Sequence, residues 1–329
     1  MLSTTISKAI ALTLAAVGLL LQVESAAAQG YPERTVRLIV PFAAGGGVGV
    51  FGQQLVAHLG PELGQEIVLE YLPGSGGMIG AAAVAQAAPD GYTLLLATAG
   101  PIEVSPVTYE NVPFDPIEDF EHITRLGSVP YILVAHKKLG VKTLEEFIEL
   151  AKKQPGALSY GSSGSGTINF LAAELLKSRA GIDLVHIPYQ GNGPQMVDLV
   201  AGRLDVSMLV PNAITQYVDD GTLIPLATTG SERSSNYPDV PTFKELGVDV
   251  EVSSWYGISA PRGTDPKIIA ALDETSRKLM QGDSLPAELK GLGIDADVSA
   301  SPEEFEKDIA AQLALWAQVM KQAGIEKIK

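Results

Sequence analysis

The chain has 329 residues, no cysteine and a formal net charge of −15. The lack of cysteine excludes disulfides, thiolate metal sites, thiol nucleophiles and a lipid-modified cysteine. The negative charge repels nucleic acid and anionic membrane surfaces, so neither is an expected partner.

Residues 1–28 have the pattern of a signal peptide. Lys8 supplies a positive start, residues 9–21 are apolar, and Ala26, Ala27 and Ala28 offer a cleavage site before Gln29. The apolar run is shorter than the ~20 residues that a membrane span needs, although a retained anchor helix is the alternative. We therefore expect a secreted protein of about 300 residues, enough for two domains, in a bacterial periplasm.

Strand and helix patterns alternate through the first part of the mature chain. Apolar runs predict strands at 36–42, 67–70 and 92–97, and helical spacing predicts helices at 51–63 and 79–88. This alternation predicts right-handed β-α-β units and a parallel sheet.

The same alternation restarts after residue 130 and predicts a second lobe. The predicted strands are 131–135, 184–187, 206–210 and 223–228, and the predicted helices are 143–153, 167–180, 193–200 and 214–219. A long amphipathic helix is predicted at 302–323, with Ser301 as its N-cap. Two α/β lobes place a ligand in the crevice at the carboxyl ends of the strands.

Three glycine-rich loops each follow a predicted strand and precede a predicted helix: residues 45–47, 73–77 and 161–167. Free backbone N–H groups at a helix start bind carboxylate or phosphate without a basic side chain. The third loop is the most specific signal, because its serines and Thr167 add hydroxyl donors. Thr167 also stands where a P-loop needs lysine, which argues against nucleotide hydrolysis. The pattern therefore favours a binder of a small organic anion.

The sequence lacks a convincing catalytic or metal-binding motif. Its four histidines are His58, His122, His136 and His186. None has the spacing of a helical metal pair, so we predict no catalytic residue, metal or cofactor. A secreted serine hydrolase or transferase is the enzymatic alternative, but the chain has no Gly-x-Ser-x-Gly nucleophile elbow.

Several ordered motifs carry a resemblance to a known family. They are Tyr31-Pro32 with 36–42, Gly45-Gly46-Gly47, 73–77, 88–95, 113–116 with Asp119-Phe120, 162–167, 187–189, 238–242 and 254–257. In this order the chain resembles the periplasmic receptors of tripartite tricarboxylate transporters, the Bug or TctC-like family. The resemblance covers nearly the whole mature chain.

The resemblance implies a two-lobed Venus-flytrap receptor, usually monomeric, that delivers mono- or dicarboxylates to membrane permease subunits. The expected division is 29–129 with 251–329 in lobe 1 and 130–250 in lobe 2, each with a mostly parallel sheet flanked by helices. The predicted ligand-binding residues are Ala44, Gly45, Gly46, Gly47, Val48, Thr98, Ala99, Ser162, Ser163, Gly164, Ser165, Gly166, Thr167, Phe170, Tyr189, Leu209 and Trp255. Among them, we expect ligand contacts from the Gly46 and Gly47 amides and the Ser163 and Thr167 hydroxyls, with Trp255 and Phe170 as an apolar wall.

Departures from the family pattern suggest an unusual ligand. Val48-Gly49 stands where the family commonly has Thr-Asp, Gln53 where it has an arginine, and Tyr71-Leu72 where it has Asn-Arg. Phe170 stands in place of a common histidine, and Leu209 in place of the aspartate that amino-acid-binding members have. Burying an ammonium group without a carboxylate partner is costly, so we expect an anion with an apolar or aromatic body and no amino group. A sensor that presents its closed form to a membrane kinase, and a receptor that has lost ligand binding, are the alternatives.

Overall fold

The computed structural model describes residues 30–329, so the predicted signal peptide lies outside the described residues. These residues form two lobes, each built on one sheet with helices on its faces. No helix within 30–329 combines the length and apolar character that crossing a membrane requires.

The sheet of lobe 1 has six strands in the order β11-β4-β10-β3-β1-β2. They are β1 (Val36–Val40), β2 (Ile67–Tyr71), β3 (Thr93–Thr98), β4 (Phe120–Pro130), β10 (Ser253–Pro261) and β11 (Asp295–Ala296). The sheet of lobe 2 has five strands in the order β7-β6-β8-β5-β9. They are β5 (Ile132–His136), β6 (Ser159–Ser162), β7 (Val185–Pro188), β8 (Val206–Leu209) and β9 (Leu223–Thr228).

Helices cover both sheets. Lobe 1 carries α1 (Gly47–Leu63), α2 (Met78–Ala85), a π-helical turn (Gly100–Val104) leading into α3 (Ser105–Thr108), α8 (Pro266–Gln281), α9 (Ser284–Gly291) and α10 (Pro302–Ala323). Lobe 2 carries α4 (Leu144–Lys153), α5 (Ile168–Ala180), α6 (Asn192–Val200) and α7 (Pro211–Asp219). The predicted caps of α4 and α10 are confirmed: the Thr143 and Ser301 hydroxyls accept hydrogen bonds from the backbone N–H groups of Glu146 and Glu304.

Both sheets are mixed, which corrects the prediction of mostly parallel sheets. Two of the five strand pairs in lobe 1 and two of the four in lobe 2 are parallel. β5 enters lobe 2 directly from β4, and β10 returns from lobe 2, both without an intervening crossover helix. The β-α-β rule fixes strand direction only where such a helix connects two strands of one sheet, and β5 and β10 pair antiparallel with their neighbours.

The two chain crossings between the lobes are short and lie side by side. Thr229 joins them: its N–H donates to Tyr131 O (2.8 Å), and its O accepts from the N–H of Val252 (3.0 Å). Its hydroxyl accepts from the N–H of Tyr131 (2.9 Å) and donates to Val252 O (2.6 Å). These bonds hold together two crossings about which the lobes can hinge.

Candidate functional site

A small cavity of about 30 Å³ lies between the lobes. A cavity of this volume holds about one or two water molecules, so the lobes must part before a carboxylate can enter. Lobe 1 and the returning strand β10 contribute Phe42, Ala43, Gly46, Gly47, Val48, Thr98, Gly100, Ser254 and Tyr256. The crossing and lobe 2 contribute Tyr131, Ser163, Thr167, Ile168, Asn192 and Val210. None of these residues, all within the described range, carries a formal charge.

Besides α7, whose first residue Pro211 has no N–H group, three helices begin at the cavity without a side-chain cap. They are α1 after Gly46, α5 after Thr167 and α6 after Gly191, and none has an acidic residue in its first turn. In α1 the first hydrogen bond of the helical pattern runs from the N–H of Val50 to Gly46 O (3.1 Å), so the preceding N–H groups have no partner within the helix. Helix starts from both lobes therefore direct positive dipole ends at one space.

Of the helices that begin away from the cavity, α2, α3 and α9 also lack a side-chain cap, whereas three others have one. The helices α4, α8 and α10 start with capping side chains from Thr143, Asp265 and Ser301. Acidic residues fill the first turn of α4 and α10 as well. Caps and acids normally satisfy a helix start, so their lack at the cavity leaves N–H groups available to a bound anion, except at α5, where the Phe170 N–H already donates to Asn169 Oδ1 (3.1 Å).

Buried polar atoms without partners also point to a ligand. Thr98 Oγ1 and Asn192 Oδ1 belong to residues that line the cavity, and neither atom has a hydrogen-bond partner in the described structure. Asn212 Oδ1 has none either, and it lies near Gly47 at the start of α1. A buried polar group left unpaired costs about 1–3 kcal/mol, and a ligand or bound water that pairs these atoms would remove that cost.

Two tyrosines outside the predicted set of ligand-binding residues supply further hydroxyls. Burial raises the pKa of Tyr131 to about 12 and also raises the pKa of Tyr256, so both remain protonated near pH 7. The ring of Tyr256 stacks on Phe51 in α1, with ring centroids 4.6 Å apart. Tyr131 lies at one lobe crossing and Ser254 in β10 at the other, and the Ser254 side chain opposes part of the effect of burial on the pKa of Tyr131. No glycine loop marks Tyr131, whereas Tyr256 belongs to the 254–257 segment that carries the family resemblance.

Six predicted residues line the cavity: Gly46, Gly47, Val48, Thr98, Ser163 and Thr167. The two loop hydroxyls already have acceptors. Ser163 donates to Asn169 Oδ1 (3.0 Å), and Thr167 donates to Gly164 O (2.6 Å). These hydrogen bonds fix the conformation of the loop. Its contacts with a ligand therefore come mainly from the backbone N–H groups at the start of α5.

Other predicted residues surround the cavity without lining it. Ala44 and Gly45 are exposed at its rim, and Ala99 is buried in the core of lobe 1. Ser162 is buried and hydrogen-bonded to His186 Nε2 (2.7 Å). Ser165 contacts the hydroxyl of Tyr109 in lobe 1. Gly164 and Gly166 press against lobe 1 at Gly76 and Ser105.

The remaining four predicted residues lie elsewhere, which corrects the expected apolar wall. Trp255 donates to Glu103 Oε1 (2.7 Å) on the far side of β10, and Phe170 packs on the His186 ring (4.9 Å between centroids). Leu209 belongs to the core of lobe 2, and Tyr189 donates to Asp198 (2.7 Å). The apolar part of the lining comes instead from Phe42, Val48, Ile168 and Val210.

The site holds no obvious acid–base chemistry or metal-ligand set. Burial lowers the pKa of His186, the histidine nearest the serine-glycine loop, to about 4. Its ring is therefore neutral near pH 7, and its hydroxyl partner Ser162 is buried. Within residues 30–329, no group of three or more histidine, cysteine, aspartate or glutamate side chains is placed to hold a metal ion.

Comparisons with known proteins match this arrangement. The model of the tripartite tricarboxylate transporter family receptor matches residues 52–325. Protein BugT of Bordetella pertussis is 35% identical over 299 residues, which are 90% of this chain and 91% of BugT.

Two solved structures extend the match to the fold. The periplasmic binding protein BugD is 33% identical with a TM-score of 0.86, over 91% of this chain and 100% of BugD. Rpa4515 of R. palustris, solved with adipate, is 32% identical with a TM-score of 0.87, over 91% of this chain and 100% of Rpa4515. The predicted periplasmic-binding-protein architecture is thereby confirmed.

Proposed function

The chain belongs to the tripartite tricarboxylate transporter receptor family, whose members are solute-binding proteins and not enzymes, and we propose that it captures a small carboxylate between its lobes for a membrane permease. The observation that carries this proposal is the uncharged cavity between the lobes, with its uncapped helix starts and unpaired polar atoms. We further propose that it works in the periplasm as a monomer, after loss of residues 1–28.

A carboxylate suits this cavity better than a neutral or cationic solute. Backbone N–H groups at helix starts donate hydrogen bonds and carry partial positive charge, so a negative group gains from both. Hydrogen bonds to a charged group contribute about 1.5–3 kcal/mol each. A few of them, supplied from both lobes, account for micromolar affinity, which corresponds to about 8 kcal/mol.

The lining also argues against an amino group on the ligand. A buried ammonium group needs a carboxylate partner, and removing one partner of a buried ion pair costs about 3–5 kcal/mol. The lining offers no acidic residue, whereas Phe42, Ile168 and Val210 offer apolar contact. Adipate, found with Rpa4515, is an unbranched dicarboxylate of this kind. We therefore propose a mono- or dicarboxylate with an apolar body.

Two measurements test the ligand class. Mass spectrometry of protein purified under native conditions identifies any ligand that stays bound. Isothermal titration calorimetry then compares adipate and aromatic monocarboxylates with aspartate and glutamate. Binding of the first group alone supports the proposal. Tight binding of aspartate or glutamate alone contradicts the ligand class, and no binding with no retained ligand contradicts the receptor role.

A cellular experiment tests delivery to a permease. Deleting the gene should abolish uptake of the radiolabelled ligand, and plasmid expression of the full chain should restore it. Expression of a variant lacking residues 1–28 should fail to restore uptake, because the protein would stay in the cytoplasm. Normal uptake by the deletion strain would refute the transport role.

A further inference from the structure

The glycine loop at residues 73–77 does not line the cavity, so ligand binding alone leaves this motif unexplained. It instead meets the serine-glycine loop of lobe 2. A methyl group placed on Gly76 would lie 3.2 Å from the Cα of Gly166, and one placed on Gly164 would lie 2.9 Å from the Cα of Gly76. Backbone therefore packs on backbone across the lobe boundary, with no room for a side chain.

Ser105, at the start of α3, holds this contact together. Its side chain is buried, and its hydroxyl lies 2.9 Å from Gly166 O in lobe 2 and 3.5 Å from Gly76 O in lobe 1. A methyl group on Gly166 would overlap the Ser105 hydroxyl and lie 2.6 Å from the Tyr109 ring. The contact thus depends on both the missing side chains and one hydroxyl.

A second backbone contact joins the lobes beside the first loop. The N–H of Ala43 donates to Gln190 O (3.0 Å), and a methyl group on Gly191 would lie 3.1 Å from the Ala43 nitrogen. Ala43 and Gly46 line the cavity next to this contact, and Gly100 and Thr167 line it beside the Ser105 contact. The two contacts accordingly enclose the cavity.

We propose that Gly76, Gly164, Gly166 and Ser105 form a clasp that stabilises the closed state of this receptor. The clasp rests on the proposed function, since it matters only if the lobes open to admit a ligand. Its two halves lie in different lobes, so they separate when the lobes open. Its backbone contacts do not touch the ligand site, and they therefore set how readily the lobes close whichever carboxylate is bound.

Gly166→Ala selectively disfavours the closed state. The backbone of Gly166 lies outside the left-handed region, so alanine is allowed there, and the three atoms nearest to its methyl group all belong to lobe 1. Gly76 and Gly164 have φ values of +64° and +137°, so substitutions at those positions also strain the backbone. Gly291→Ala is a matched control, because nothing lies within 4 Å of the added methyl group.

The chain lacks cysteine, which permits site-specific spin labelling. Lys152→Cys in lobe 2 and Lys267→Cys in lobe 1 place labels on exposed positions of α4 and α8. Pulsed electron paramagnetic resonance then gives the interlobe distance with and without adipate. We expect the wild type and Gly291→Ala to populate the closed distance, and Gly166→Ala to lose it and to bind adipate at least tenfold more weakly.

Ser105→Ala supplies a second test without steric overlap. It removes one cross-lobe hydrogen bond, which corresponds to about 2- to 12-fold weaker adipate binding. Circular dichroism and thermal unfolding check that each variant folds as the control does. Identical distance distributions in wild type and Gly166→Ala, or unchanged adipate affinity in both variants, would overturn the clasp. If adipate binds none of the proteins, the proposed ligand class fails, while the ligand-free distances still decide for or against the clasp.

Discussion

The carboxyl group of Glu103 is buried in lobe 1 and contacts both tryptophans of the chain. Its side chain is 3% exposed, and the indole N–H groups of Trp255 and Trp316 donate to its two oxygens over 2.7 and 3.4 Å. Burial raises the pKa of Glu103 from 4.5 to about 8, against the two tryptophan hydrogen bonds and nearby Arg125, which lower it. The folded protein therefore keeps this group protonated at neutral pH.

This raised pKa makes Glu103 destabilising as pH rises. The unfolded chain loses the Glu103 proton near pH 4.5, but the folded protein loses it only near pH 8. The free energy of unfolding therefore falls as pH rises from 4.5 to 8. At about 1.4 kcal/mol per pH unit, the difference reaches about 5 kcal/mol at pH 8 and is absent below pH 4.5. Glu103→Gln removes the titration but keeps an acceptor for Trp255. The variant should therefore become progressively more stable than wild type between pH 5 and pH 8, by several kcal/mol.

Two assays separate this expectation from general pH effects. Denaturant unfolding of both proteins, followed by circular dichroism at pH 5, 6.5 and 8, gives the stability difference at each pH. Intrinsic fluorescence reports the site directly, since Trp255 and Trp316 are the only tryptophans in the sequence. Wild-type emission should change with a midpoint near pH 8, and that transition should be missing in Glu103→Gln. A stability difference that is constant with pH, or the same fluorescence transition in both proteins, would refute the reasoning.

Three further predictions concern the cavity and the N-terminus. Thr98→Val removes a buried hydroxyl without a partner, so the ligand-free protein should gain about 1 kcal/mol in a denaturant titration while adipate binding weakens about tenfold by calorimetry. A loss of stability together with unchanged or tighter adipate binding would show that the Thr98 hydroxyl does not bind the ligand. Ser163→Ala combined with Thr167→Val should weaken adipate binding at least tenfold and lower the melting temperature, because the two hydroxyls hold Asn169 Oδ1 and the Gly164 carbonyl in place; unchanged affinity would contradict their role. The exported protein should begin at Gln29 by intact mass, and a full-length mass would indicate a retained leader.

Much of the secondary structure follows from local signals. The helix α10 begins and ends as predicted, because Ser301, Pro302 and the glycine at 324 mark its ends. The strand β10 and the helix α8 were not predicted, although β10 lies at the centre of the lobe 1 sheet. Its antiparallel pairing with β3 depends on a chain return from the other lobe, and no short-range pattern encodes that return.

The sequence predicts those parts of the site that backbone N–H groups form. It does not predict the parts that depend on which way a side chain points. Glycines before a helix identify the α1 start without any tertiary information. Leu209 and Phe170 lie in segments that are buried on all sides. Hydrophobic periodicity therefore does not predict whether their side chains point to the cavity or to the core. Trp255 likewise points to Glu103, a residue 152 positions away in the chain, and only the assembled sheet shows on which side of β10 it lies.

The cavity lining contains only neutral groups that do not titrate near pH 7, with tyrosine hydroxyls whose pKa values are raised further by burial. Recognition by main-chain amides cannot be switched off by protonating or deprotonating the protein's own binding groups. Capture should then depend on acidity only through the ionisation of the solute itself. In a compartment whose pH follows the surroundings, such a receptor would keep working wherever its carboxylate stays ionised.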